Sequence, residues 1–542
     1  MKYIKSMKYI LPLLLLLLSA SLSQAQEYVV LSQHCYGGSH TDWPQKILKK
    51  PGGGYYIFGN TYSYAGDVGF NHGQSDYWLF ETDATGQIIW GKTYGGSGIE
   101  EARDFLRTPD KGFLLYGYTF SRDGDVSCNH PGESSDLWLV RTDSLGNMLW
   151  SRCYGGTHQE YGGKIIHDHE EGYFIFAATT GSVDGDITHN NGTYDLWVVK
   201  LDPEGNIVWQ HAYGGAMQDQ ANSIILTSDG GYLVGGNISY VQGGDLQCRE
   251  GLPNDSYVAW MLKLDDHGEI EWQQCYGGDK GEAMVDVIQT HGGYAFVGLT
   301  KSGNGDVNCY HGIPGLTGGY DTWIVKTNEM GRIEWQRCLG GTGFDDPTFI
   351  RELDDGTYLV GGFSDSKDFD LSCSPSVNGA IIGALYRVSA NGELLWSKCY
   401  GSRYGAIIHN VEVISPDHYV LAADAVSNND GVNCNLHGFH DIWLVEIMDT
   451  TVSIQEQRPA ATTAGFLLYP NPAALSAWVE LPEKDIQASM QVQLIGPTGR
   501  RLYEAPAKGR FHQIALEPYP AGLYLVRLWD GERWRVQKLV KQ

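Results

Sequence analysis

Apolar residues along this chain fall into short runs separated by turn residues, and the same block of four runs returns down most of its length. In the second block the runs are "DFLRT" (104–108), "GFLLYGYTF" (112–120), "DLWLVRTD" (136–143) and "NMLWSRCYGG" (147–156). Runs of this length, bounded by Gly, Asn and Asp, predict β-strands. A Gly-containing turn such as "PDKGF" or "SDGGYL" joins the first run to the second, and "TDATGQ" or "LDPEGN" joins the third to the fourth. Gly there supplies the positive φ of a short hairpin loop. Only the second-to-third connection is long. Strand, turn, strand, long loop, strand, turn, strand is one blade of a β-propeller.

The period is set by Tyr-Gly-Gly or a close variant, which starts at Tyr36, Tyr94, Tyr154, Tyr213, Tyr276, Leu339 and Tyr400. The last block stops after its third run, "DIWLVEIM" (441–448), whereas "EYVVLSQHCYGG" (27–38) precedes the first block as a lone fourth run. The N-terminal strand is therefore expected to complete the last blade. The fold class predicted is all-β: a seven-bladed propeller over 26–448 with three-plus-one strand closure, then a small Ig-like β-sandwich. Trp78, Trp138, Trp197, Trp260 and Trp323 each precede a second Trp by 12 residues. Folding about the intervening turn predicts the two rings nearly opposite one another on adjacent strands, filling space between blades.

The cysteines sharpen this picture. Five of the ten lie in the long loops (Cys128, Cys248, Cys309, Cys373 and Cys434) and five just before the Tyr-Gly-Gly position (Cys35, Cys153, Cys275, Cys338 and Cys399). Blades 1 and 3 lack both, with Phe70 and Thr93 in one and His189 and Ala212 in the other. A cysteine that is present only where its partner is present reads as half of a disulfide. The expected pairs are Cys128–Cys153, Cys248–Cys275, Cys309–Cys338, Cys373–Cys399 and, across the closure, Cys35–Cys434.

An oxidised chain must be exported, and the N-terminus agrees. Lys2, Lys5 and Lys8 precede an apolar run from Ile10 to Leu18, with small residues at Ser23 and Ala25. This is the layout of a signal peptide over 1–25, and its apolar run is too short to span a bilayer. No transmembrane anchor is expected. The net charge of −26 is concentrated in the propeller segment, because the signal segment and residues 466–542 are both net basic. So acidic a body excludes nucleic acid as a partner and attracts cations.

Residues 449–465 have no strand or helix period and read as a linker. In the segment that follows, "LYPNP" (Leu468–Pro472), "GPTGR" (Gly496–Arg500), "AGLYLVRL" (Ala521–Leu528) and the Lys-containing end "VQKLVKQ" stand in order. On these motifs residues 466–542 resemble the type A C-terminal sorting domains of the bacterial type IX secretion system. Within them Tyr469, Pro470, Asn471, Pro472, Gly499, Gly522, Tyr524 and Lys538 carry the likeness. The resemblance implies a Bacteroidota-type cell and export to the cell surface or medium. It also implies recognition by the secretion machinery, removal of the domain by a sortase-like peptidase, and attachment to surface lipopolysaccharide or release.

Candidate chemistry lies in the long loops. Asp67, Asp125, Asp186, Asp245, Asp306 and Asp370 recur there with His72, His130, His311 and His437, and a second acidic set follows Gly-Gly at Asp42, Glu100, Glu160, Asp219, Glu282 and Asp345. Carboxylates in Gly-rich loops can ligate Ca²⁺; the alternative is that each Asp caps its own turn and each His bonds neighbouring backbone. The sequence has neither GxSxG nor HExxH. The P-loop letters of "GQIIWGKT" (Gly86–Thr93) fall on a hairpin turn and strand with no helix following. Non-repeated polar departures are few: Arg249–Glu250 and Arg403–Tyr404. The reading is a surface or extracellular scaffold that binds glycan or protein ligands on the loop face. The alternative is a polysaccharide lyase or glycosidase using carboxylates on that face.

Overall fold

The computed structural model describes residues 28–449, apart from 133, 169–171, 240–242, 249–255, 313–318, 372–379, 403 and 427–430. It also describes 467–469, 476–480, 490–496, 500–506, 511–516, 518–520, 522–529 and 534–541. The expected signal peptide, the expected linker after Asp449, Pro470, Asn471, Pro472, Gly499 and Cys373 lie outside these residues. Every described regular element is a β-strand. The chain divides into two compact units, Met1–Thr451 and Val452–Gln542.

The first unit is a β-propeller of repeated four-stranded antiparallel sheets, seven among the described residues. The second sheet is typical: Glu100–Arg107, Phe113–Thr119, Asp136–Thr142 and Met148–Tyr154 pair in chain order. Burial explains the differing apolar patterns of its strands. The third strand is buried along its whole length, so it reads as nearly continuous apolar sequence. The fourth strand is exposed at Met148 and Leu149 and buried only at Tyr154. First strands of successive sheets touch one another, and that of the seventh sheet (Ala406–Ser415) touches that of the first (Asp42–Lys49). Each first strand carries a register shift two or three residues in, as between Pro44 and Lys46 or between Ala102 and Asp104. Such bulges re-aim the side chains that follow them.

In the seventh sheet the strand order joins Tyr28–Tyr36 to Asp441–Asp449, with Cys35 opposite Trp443. Three side chains of this N-terminal strand make the bonds that fourth strands make elsewhere. Gln33 Oε1 accepts from Trp443 Nε1 at 3.1 Å, as Gln273 does from Trp260 at 3.1 Å and Gln336 from Trp323 at 2.8 Å. Gln33 Nε2 donates to a loop carbonyl, that of Gly431, at 3.0 Å. Tyr36 Oη donates to the carbonyl of Gly86 in the next sheet at 2.8 Å, as Tyr94 does to Gly146 at 2.6 Å and Tyr154 to Gly205 at 2.6 Å. Cys35 is disulfide-bonded to Cys434, and Cys128 to Cys153, Cys248 to Cys275 and Cys309 to Cys338.

The tryptophans depart from expectation. Trp78 lies opposite Thr93 and Trp90 opposite Glu81, so paired rings do not face one another. The hairpin is centred between Thr85 and Gly86, later than the midpoint of the two tryptophans. The third-strand rings are buried in their own sheets, while Trp90 reaches across to Phe113 and Trp272 to Tyr294 in the following sheet.

The second unit is a β-sandwich. Leu467–Tyr469, Ser476–Glu480 and Phe511–Ala515 form one sheet, and Arg501–Pro506, Gln491–Ile495, Gly522–Trp529 and Trp534–Lys541 the other. Ala477, Val479 and Ile514 from the first pack with Val492, Leu494, Val526 and Leu528 from the second.

Candidate functional site

First strands begin, second strands end and third strands begin at one face of the propeller, which also carries the long loops and the Tyr-Gly-Gly connections. In the first six sheets the acid that opens the first strand is buried there, while the seventh opens on Ala406. Glu160 accepts from Gly156 N–H at 3.0 Å and from Thr180 Oγ1 at 2.8 Å; Asp42, Glu100 and Glu282 bind their Gly-Gly and Thr partners in the same way. The Asp that opens most third strands is buried too, and it accepts a loop N–H: His72 to Asp76 at 2.8 Å, His130 to Asp136 at 2.7 Å, Asn191 to Asp195 at 2.6 Å.

The two acids meet at the first glycine of Tyr-Gly-Gly, between one sheet and the next. A Cβ on Gly155 would lie 2.4 Å from Glu160 Oε2 and 2.7 Å from Asp136 Oδ1, and one on Gly95 would lie 2.4 Å from both Asp76 Oδ1 and Glu100 Oε2. At Gly95 and Gly155 glycine is required for space, not for φ. Asp76, Asp136, Asp195, Asp321 and Asp441 each hold a buried Oδ1 that has no hydrogen-bond partner. Desolvation, reinforced by the neighbouring acid, pushes the carboxyls up: Asp42 and Asp345 to about 6, Glu160 and Asp219 to about 7. Gly155→Ala should therefore cost roughly 2–3 kcal/mol of stability. Gly303→Ala, where a Cβ meets nothing within 4 Å, is the control. Equal melting temperatures for the two variants would refute the steric account.

The expected loop-face residues take up the outer side of these junctions. Asp67, Asp125, Asp186, Asp245 and Asp306 accept from the first Gly N–H, at distances from 2.9 Å (Gly277 to Asp306) to 3.4 Å (Gly214 to Asp245). Each Asp thus ties its loop to the preceding connection instead of capping its own turn. Asp370 pairs with Arg337 at 3.1 Å. The histidine rings face carboxylates and not backbone: His72 bonds Asp76 and His130 bonds Asp136 at 2.6 Å, while His311 stands 2.9 Å from Asp321 and His437 3.6 Å from Asp441. Among the described residues no three His, Cys, Asp or Glu side chains group as a metal shell.

One ring of residues escaped the sequence reading. Immediately after the buried acid stand Trp43, Glu101, Tyr161, Gln220, Ala283 and Asp346, a different residue in each sheet. Because first strands touch one another around the propeller, this position surrounds its axis at the loop face. Neighbouring side chains complete the mouth. Trp43 meets Tyr62 and His440 edge-on, with centroids 5.9 and 6.3 Å apart. Tyr161 packs on Tyr194 at 6.0 Å and accepts from Gln220 Nε2 at 3.3 Å. Tyr257 donates to Gln218 at 2.8 Å, and Tyr320 lies between Phe344 and the Lys301 ammonium.

Farther along the first strands the axis is crossed by ion pairs. Lys46 binds Asp104 at 2.6 Å, while Asp286 is held by Lys164, by Arg351 at 3.1 Å and by Ser223 at 2.9 Å. Lys164 and Asp286 come from sheets that are not neighbours, so the mouth has a floor. Its signal in the sequence was the one position per repeat that never repeats. Arg249, Glu250 and Arg403, the departures singled out from the sequence, lie outside the described residues.

In the sandwich, Tyr524 is buried and donates to the Pro520 carbonyl at 2.6 Å, while Lys538 pairs with Leu525 in the ladder beside it. Gly522 opens the strand that carries Tyr524, and Tyr469 ends the first strand of the opposite sheet.

Comparison with known proteins separates the two units. Residues 467–542 match the secretion system C-terminal sorting domain family. The regulatory protein FlaEY of Caulobacter vibrioides is 22% identical over 272 residues, 46% of this chain and 27% of that protein. Among solved structures, PorZ, an essential surface component of the type IX secretion system of Porphyromonas gingivalis, is 12% identical. The alignment with PorZ covers 94% of this chain and 60% of that one, with a TM-score of 0.36. The WD40 domain of Neurospora crassa Pan2 is 11% identical over 63% of this chain and 93% of that one, with a TM-score of 0.32. The chain thus spans less than two thirds of FlaEY and of PorZ. The sorting domain implies interaction with the secretion machinery and export to the cell surface or extracellular space. Residues 467–542 are a type IX secretion system C-terminal sorting domain, carried by this chain behind a β-propeller.

Proposed function

We propose that the chain is an exported binding scaffold: a seven-bladed propeller, closed by three strands plus the N-terminal one, that presents its loop face to a glycan or protein ligand. Ring closure is supported by the bonds of Gln33, Cys35 and Tyr36, which reproduce those of a fourth strand, and by contact between the first and seventh sheets. A single observation carries the binding reading. The polar side chains that repeat are engaged inside the junctions, and the side chains that differ from sheet to sheet gather at the axial mouth. A scaffold keeps its structural positions and varies its contact positions.

On this reading a sortase-like peptidase removes the sorting domain after export, and the propeller is attached to surface lipopolysaccharide or released. Deleting Phe466–Gln542 should leave folded, disulfide-bonded propeller in the periplasm. Immunoblots of periplasm, surface and medium check this; normal amounts of truncated chain outside the cell would refute it.

One observation favours the enzymatic alternative. Asp346 and Asp365 share the mouth end of the sixth sheet, and burial together with the Asp365 charge raises the Asp346 carboxyl. A glycosidase needs two such groups, one of them protonated. Hydrolysis of a bound glycan by the wild-type chain, abolished in Asp346→Asn, would replace the scaffold reading with this one.

A further inference from the structure

We infer that the axial mouth of the loop face is a binding site for a neutral oligosaccharide, held by Trp43, Tyr161, Tyr194, Tyr257 and Tyr320 with Gln220 among them. This inference rests on the scaffold reading and assigns it a site and a ligand class.

Three features of the mouth support it. First, the aromatic rings are only partly buried, Tyr257 being 37% exposed, yet each is fixed by neighbours: Trp43 by Tyr62 and His440, Tyr161 by Tyr194 and Gln220, Tyr257 by Gln218. Rings held in place without being covered lose little freedom when a ligand packs on them. Second, planar hydrogen-bonding groups alternate with the rings around the axis: His440, Glu101, Gln220, Gln218 and Asp346. Flat apolar surfaces interleaved with donors and acceptors match a pyranose, whose C–H faces stack and whose equatorial hydroxyls bond in the plane between. Third, the ion pairs of Lys46, Lys164, Asp286 and Arg351 close the axis farther in, so the mouth is a dish that receives a ligand and not a pore.

Charge selects among glycans. Glu101, Asp346 and Asp365 bring negative charge to the mouth, against Arg103, Lys301 and His440, and the chain carries −26 overall. An acidic polysaccharide gains nothing there, whereas a neutral one is not penalised.

The test uses the mature full chain, first on an array of neutral and acidic oligosaccharides and then by calorimetry with the best binder. Trp43→Ala and Tyr161→Ala should each weaken binding about tenfold or more, with melting temperatures near wild type. Binding should perturb tryptophan fluorescence, and Trp43→Phe should remove most of that signal. Should Tyr161→Ala fail to fold, Gln220→Ala, which removes a half-exposed polar group, should show the same loss. Binding held within twofold in all of these variants would overturn the site while leaving the scaffold reading in place. Preference for acidic oligosaccharides would overturn the ligand class. No glycan bound at all, with a protein ligand captured instead, would overturn this inference but not the scaffold. No ligand of either class would overturn both.

Discussion

Removing the Cys35–Cys434 disulfide by replacing both residues with Ser should lower the melting temperature of the mature chain by about 6 °C, roughly twice the effect of the same change at Cys128 and Cys153. The two bridges close loops of very different length, with sequence separations of 399 and 25. The chain-entropy model assigns them about 6 and about 3.5 kcal/mol, and for a domain of this size roughly 1 kcal/mol moves the melting temperature by about 1 °C. The longer bridge has a further role. It lies on a strand at the chain terminus that otherwise holds to Asp441–Asp449 through one ladder and the side chains of Ser32, Gln33 and Tyr36. Terminal strands open first. Hydrogen exchange should therefore show 28–36 losing protection in the Cys35 variant, with little change in the Cys128 variant. Equal melting temperatures, and equal protection of 28–36, would mean that the N-terminal strand does not depend on its bridge.

The second large effect is a dependence on pH opposite to that of most proteins. Asp42, Asp195 and Asp345 are pushed up to about 6, and Glu160 and Asp219 to about 7, by burial with a second carboxyl nearby; Glu100, Glu282, Asp76, Asp136, Asp321 and Asp441 are raised as well. For an acid whose folded pKa lies above its unfolded value, the folded state holds more protons between the two. Stability is then fully present below the unfolded value near 4 and is lost as pH rises through the folded value. The window runs from about 4 to about 7. Asp424, whose burial would raise it but which His409 and His440 hold down to about 2, and Asp286, lowered by Lys164 and Arg351 against its burial, act in the opposite sense below that window. The melting temperature should rise by about 5 °C or more between pH 8 and pH 5 and fall again in stronger acid. Asp219→Asn, which keeps an acceptor for Gly215 N–H, should flatten the slope between pH 5 and 7. A melting temperature that is level or rises with pH across that range would show that the junction carboxyls are ionised and otherwise compensated.

Particular residues show why some of this was legible in the sequence. Strand identity was, because a strand buried on both faces, such as Asp195–Leu201, carries an apolar run (here Leu196–Val199), and a hairpin such as Asp83–Gln87 needs Gly at positive φ. The cysteine pairing was, for the four pairs among the described residues, because partners appear and vanish together. The Tyr of Tyr-Gly-Gly was recognisable as a marker but not as a bond: its hydroxyl reaches a carbonyl more than 50 residues ahead, as from Tyr94 to Gly146. The third-strand Asp was missed although "DLWLV", "DLWVV" and "DIWLV" repeat it. It was placed at the head of the third run and given no role.

By itself, then, the sequence determined what depends on short-range order: strand periodicity, turn chemistry, the repeat length, and the sorting motifs at the C-terminus. Tertiary structure decided what depends on convergence. Glu100 becomes a neighbour of Asp76 only because adjacent sheets pack with a glycine between them. Trp43, Tyr161 and Gln220, separated by 118 and 59 residues in the chain, surround one axis only because first strands are innermost. A linear pattern records which side of a strand is buried, because that is set by alternation along the backbone. It does not record which residues of distant strands share a point in space, because that is set by the packing of whole sheets.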